Sequence, residues 1–117
     1  MNWYIAKIVY RIICGDGDHT AQFDEQLRLI SAFNKAEAFD RSIALGKMEE
    51  DNFYNHDKLL VRWEFVNVLE LYELNDLVDG AEIYSRIKEV NDGEGYSTFV
   101  HKKSAAIFDK QKISLLN

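Results

Sequence analysis

The chain has 117 residues, 47% of them hydrophobic and 29% charged, and a formal net charge of −6. A domain of this length buries somewhat over ~60% of the surface its unfolded chain exposes, and 7 Phe, 6 Tyr and 2 Trp supply the apolar area, so disorder is excluded. The acidic balance excludes a general phosphate-backbone binder, which needs a basic stripe to release counterions, and no nucleic-acid partner is expected.

The opening run, Met1 to Cys14, is interrupted by Lys7 and Arg11 and followed by no small-residue cleavage site, so it reads as a strand and not as a signal peptide. No stretch reaches the ~20 apolar residues of a membrane span. The expected location is the cytoplasm, with no membrane partner. Cys14 is the single cysteine, cannot form an internal disulfide, and reads as a small buried apolar residue.

Between Trp3 and Cys14 the even positions Tyr4, Ala6, Ile8, Tyr10 and Ile12 are apolar, a period of two that marks a strand with one buried face. Gly15-Asp16-Gly17-Asp18 supplies turn chemistry. A second strand runs from about Gln22 to Ala32, with Phe23, Leu27 and Leu29 on one side and Asp24, Gln26 and Arg28 on the other. Asn34 followed three positions later by Glu37 is a capping-box signal, so a helix begins there. Its packed face is expected to carry Ala36, Phe39, Ile43 and Gly46, and the helix is expected to fray by Asn52 to Asn55. Gly46 costs roughly 1 kcal/mol in a helix interior, which points to close approach to the sheet or to an early helix end.

Leu59 to Leu74 is the longest β signal. Its apolar residues occupy odd positions through Phe65 and even ones from Val66, a phase change that predicts a β-bulge between Phe65 and Asn67. After the Asp79-Gly80 turn signal, Ala81, Ile83, Ser85 and Ile87 alternate with polar residues and read as the fourth strand. Asn91 to Gly95 is a loop, and Phe99, Ala106 and Ile107 suggest a short C-terminal helix.

These elements make an α+β fold in which two long antiparallel β-hairpins flank one helix (ββαββ). A single antiparallel sheet has the helix on one face. Residues 1–90 form the domain, and 91–117 form a tail packed on the domain or on a partner. Trp3, Ile5, Val9 and Ile13 lie on the sheet face away from the helix, so that face calls for a homodimer, another protein or the tail itself as its cover.

The order of several short motifs resembles a small bacterial and archaeal family catalogued as the domain of unknown function numbered 4288. They are Trp3-Tyr4, Glu25-Gln26 with Leu29-Ile30, Glu37-Ala38 to Leu45-Gly46, Trp63-Glu64-Phe65-Val66-Asn67-Val68, Leu71-Tyr72-Glu73-Leu74 and Asp79-Gly80 to Arg86. The resemblance covers roughly residues 1 to 88. It implies a small stand-alone protein, supports the architecture, and carries no activity to any residue.

No catalytic residue, metal ligand set or cofactor motif emerges. His19, His56 and His101 lie in separate loops or ends without a second ligand at helical spacing. Asp16-Gly-Asp lacks the glycine and terminal acid of a calcium loop, since Ala21 and Leu27 stand there. A spatial pairing of Cys14 with a histidine stays open. Glu70 and Glu73 differ in strand parity and should point to opposite faces. One polar set has a ligand reading: Arg62 and Glu64 on the third predicted strand with Tyr84 and Arg86 on the fourth could hold an anionic metabolite through bidentate arginine contacts. The bland alternative is a charge ladder that sets register. The reading favoured by the residues is a non-enzymatic protein-interaction module, with an adaptor or an immunity-like protein as specific forms; an anionic-metabolite binder or enzyme built on those four residues is the alternative.

Overall fold

In the computed structural model, which describes residues 1–116 and their side chains through residue 110, the chain enters as β1 (Asn2–Cys14) and returns as β2 (Gln22–Ala32). The turn between them needs positive φ at Gly15 (61°) and Gly17 (83°), the left-handed region open to glycine without strain. β1 pairs along its other side with β4 (Leu60–Leu74), and β4 pairs with the short β3 (Asp51–Tyr54). All pairings are antiparallel and the sheet order is β2-β1-β4-β3. The ββαββ arrangement, with one helix on one face of a single sheet, is therefore the fold.

Two sequence expectations change. The fourth strand is Asp51–Tyr54, where helix fraying was expected, and residues 81–90 form no strand. The alternation in 81–87 is real, but period two shows only that a segment is two-sided; β3 occupies β4 from Leu60 to Trp63, and beyond it Phe65 and Val68 N–H donate to the side chains of Glu50 and Asn67. The Asp79-Gly80 signal does make a turn: Ala81 N–H donates to the Val78 carbonyl at 3.0 Å, with Gly80 at φ 84°.

α1 (Lys35–Met48) is capped by Asn34, whose Oδ1 accepts from Glu37 N–H at 2.8 Å. Glu37 reaches back one residue beyond the cap and accepts from Phe33 N–H at 3.3 Å. The packed stripe is Ala38, Ser42 and Gly46, with Leu45 beside it, whereas Ala36 and Phe39 face solvent. The stripe consists of small residues because the helix lies tight on the sheet: a Cβ on Gly46 would sit 2.3 Å from the Phe65 ring. Close approach, and not an early end, explains this glycine. The core below the helix holds Tyr4, Ala6, Ile8 and Tyr10 of β1, Ile30 and Ala32 of β2, and Phe65, Val68 and Leu71 of β4.

β4 contains the expected bulge. Tyr10 faces Phe65 and Val9 faces Asn67, leaving Val66 without an opposite residue. A second shift between Lys7 and Ile8 leaves Leu69 unopposed. Together they carry the core-facing phase from odd (Phe65) to even (Val68) and back to odd (Leu71), and bulges of this kind bend and twist a long strand.

The chain divides into two compact units, Met1–Ile83 and Tyr84–Asn117. The second contains α2 (Gly93–Leu116), a helix of 24 residues, much longer than the short one expected. Asp92 caps it through its Oδ1, which accepts from Gly95 N–H at 3.0 Å. Tyr96 and Phe99 stack at 6.3 Å, with Lys88 over the Tyr96 ring and Lys103 over that of Phe99. No helix is long and apolar enough to cross a membrane among the described residues.

Candidate functional site

Register assigns the side chains of the helix-free sheet face. Trp3, Ile5, Lys7, Val9, Arg11 and Ile13 of β1 share it with Ser31, Leu29, Leu27, Glu25 and Phe23 of β2, and with Leu74, Tyr72, Glu70, Asn67, Glu64 and Arg62 of β4. The apolar side of β2 thus lies here, and its polar side, Asp24, Gln26 and Arg28, faces the helix. Phe23, Leu27 and Leu29 each leave half or more of their surface in solvent, and Trp3, Val66 and Leu69 are also exposed. Of the four residues expected to need a cover, Ile5 is 5% exposed, Val9 and Ile13 are half-buried, and Trp3 is open. Val9, Phe23, Val66 and Leu69 line an apolar hollow of about 340 Å³, into which the two bulges bring β4 residues that a regular strand would have kept in the ladder.

Charges frame this surface. Lys7 and Glu70, directly opposite each other, make an ion pair at 3.5 Å in which both side chains are largely covered. Arg11 lies over the Phe23 ring at 5.7 Å and opposite Glu64. Arg62 Nη1 donates to Glu64 Oε1 at 3.0 Å, a pairing along β4. Tyr84 and Arg86 fall in the strandless segment of the second unit, so the hairpin expected to bring them beside Arg62 and Glu64 is not formed. Glu73 faces Tyr4 on the opposite side from Glu70, as its parity requires.

On the helix face a polar network ties α1 to β2. Arg28 makes a bidentate pair with Glu49 at 2.7 and 2.8 Å and donates to Gln26 at 2.9 Å. Asp24 Oδ2 accepts from Gln26 at 2.6 Å and from Trp63 Nε1 at 3.1 Å. The hydrogen bond from Arg28 holds the Glu49 carboxyl below its usual range and raises the guanidinium above its own. Burial, with Glu49 second, raises the Tyr10 hydroxyl. Sequence reading missed this network because its members lie far apart in the chain; the one signal was a polar alternation in β2.

Near the β1–β2 turn, Cys14, His19, Thr20 and Leu59 line an open cleft of about 740 Å³. The imidazole does not address the thiol. Its Nε2 accepts from the Cys14 backbone N–H at 3.0 Å and its Nδ1 donates to the Thr20 carbonyl at 2.8 Å, so both ring nitrogens are committed to the main chain. That arrangement closes the turn and leaves no base for the sulfur. No group of three His, Cys, Asp or Glu is placed to hold a metal ion among the described residues.

One comparison with known families gives a match. A family model described as a domain of unknown function (DUF4288) matches residues 3–85, most of the chain. The chain belongs to this family. The match spans all four strands and α1 of the DUF4288 domain, and so includes the helix-free face with both bulges. No curated protein and no solved structure matches the chain.

Proposed function

We propose that this DUF4288 protein is a non-enzymatic interaction module, and that the helix-free sheet face is the surface with which it associates. The observation that carries this reading is the run of solvent-exposed Trp3, Phe23, Leu27 and Leu29 around the apolar hollow beside Val66 and Leu69. Exposed apolar patches of this kind, rimmed by charge, are the usual mark of a protein contact. The rim here carries both signs, with Arg11 and Lys7 against Glu25, Glu64 and Glu70, which suits a second copy of the same chain better than a strongly charged partner. α2 adds a stripe of exposed Tyr96, Phe99, Val100 and Ile107 at helical spacing, which supports this part of the helix as a second docking surface.

Light scattering on the purified protein and on Val66→Glu tests the proposal. Val66 is a bulge residue in the hollow and not in the core, so the variant keeps its fold by circular dichroism. The expected result is an assembly heavier than the 13.6 kDa chain that the substitution weakens. A wild-type monomer at sub-millimolar concentration contradicts self-association through this face.

A further inference from the structure

The two edges of the sheet differ. On one side β3 covers β4 from Leu60 to Trp63, and beyond it Phe65 and Val68 N–H donate to the Glu50 and Asn67 side chains; on the other, β2 presents eleven residues without a proline. An unpaired edge of that length is a ready template for another strand. Among the described residues, hydrogen bonds from outside the β1 ladder reach the β2 main chain at Ser31, whose carbonyl accepts from the Arg41 guanidinium.

We propose that β2 pairs antiparallel with β2 of a second copy about a two-fold axis at Gln26, joining two four-stranded sheets into one of eight. This rests on the reading of the protein as a self-associating module and adds the β2 edge as a second contact, separate from the helix-free face. With the axis at Gln26, Arg28 stands opposite Asp24 of the second copy on the helix face, and Leu29 stands opposite its Phe23 on the other. Opposite charges and apolar pairs directly across a ladder stabilise it, and like charges there oppose it. Moving the axis to Asp24, Glu25 or Arg28 sets a charge against its own copy, and moving it to Leu27 separates Asp24 from Arg28 and sets it against Ile30; the axis at Gln26 keeps the Asp24–Arg28 pair, with Leu27 opposite Glu25. Asp24 supplies a second, independent argument: its half-covered carboxylate has hydrogen bonds from Gln26 and Trp63 but no cation within ion-pair distance among the described residues. The facing Arg28 provides one.

The helices permit this arrangement. α1 touches β1, β2 and β4 and so lies over the second strand from the edge. Across a β2–β2 junction the two helices are then about three strand spacings apart, ~14 Å, which clears the ~8–10 Å at which helices pack.

Cysteine cross-linking in a Cys14→Ser background tests the register. In Gln26→Cys the two copies of the residue are directly opposite, with Cβ atoms ~5 Å apart, near the span of a disulfide. In Leu29→Cys they are offset by six residues, ~20 Å. Mild oxidation is expected to give a disulfide-linked dimer with Gln26→Cys, none with Leu29→Cys alone, and one again when Phe23→Cys is added to Leu29→Cys. A dimer by light scattering that fails to cross-link at Gln26 overturns the β2 junction and leaves self-association standing. Equal cross-linking at Gln26 and Leu29 also overturns it. A monomer with no cross-link overturns both readings.

Discussion

The phenolic hydroxyl of Tyr10, buried in the centre of β1, donates to the main-chain carbonyl of Gly46 in the last turn of α1 at 2.8 Å. That carbonyl lacks a helical partner, because Glu50 N–H bonds to Lys47 and Glu49 N–H to Leu45. Tyr10 also meets the edge of Phe65 at 6.0 Å, and Phe65 fills the space where a side chain on residue 46 would stand. Sequence, helix placement and bulge converge at these three residues. Gly46→Ala is expected to destabilise the domain by about 1–3 kcal/mol from overpacking, despite a helix-propensity gain of about 1 kcal/mol. Adding Phe65→Leu should recover part of the loss. Urea unfolding of the single and double variants measures both.

Removing the Tyr10 hydroxyl leaves the Gly46 carbonyl buried without a donor, so Tyr10→Phe is expected to cost about 1–2 kcal/mol. It should also change the alkaline limb. Burial raises the folded-state pKa of Tyr10 above its ordinary 10.0, so the stabilisation is fully present below pH 10 and is lost as pH rises through the folded value. Wild type should therefore lose more stability above pH 10 than Tyr10→Phe does in parallel urea titrations.

Glu49 behaves in the opposite sense. The Arg28 hydrogen bond lowers its folded pKa below the ordinary 4.5, so its contribution is present above pH 4.5 and is lost as pH falls through the folded value. Glu49→Gln is expected to be less stable than wild type at pH 7 and to converge with it toward pH 2. Denaturation midpoints across that range check the convergence.

Lys58, in the β3–β4 connection, has φ 64°, the left-handed region that an L side chain rarely adopts. Asn55 organises this loop, with its Oδ1 accepting from Asp57 and Leu59 N–H. Lys58→Gly relieves the strain and is expected to stabilise the domain by up to about 1 kcal/mol, read as a higher melting temperature.

Much of the fold was legible because it is written in strict alternation. β1 and β2 came directly from period-two patterns, and α1 from Asn34 and Glu37. The bulge at Val66 came from a phase slip in β4. The second bulge was hidden because Val68, Leu69 and Leu71 are all apolar, so a slip among them leaves no trace in the pattern. β3 was missed because Asp51-Asn52-Phe53-Tyr54 is too short to alternate and follows an acidic helix end. Residues 81–87 misled for the converse reason: alternation reports two-sidedness and does not by itself show pairing, and among the described residues β4 beyond Trp63 has no strand on its β3 side. The polar site expected across that hairpin therefore lost its scaffold. The apolar face was legible at Trp3, Val9 and Ile13. The contribution of Phe23, Leu27 and Leu29 to it required register, which no single strand contains.

The central claim is that the chain associates with further copies of itself, through the helix-free face and through the β2 edge. Size-exclusion chromatography with light scattering tests it most directly. The account predicts a mass of twice 13.6 kDa or more that falls on dilution, and that falls on Val66→Glu through loss of the face contact. A mass of 13.6 kDa at every concentration would contradict it.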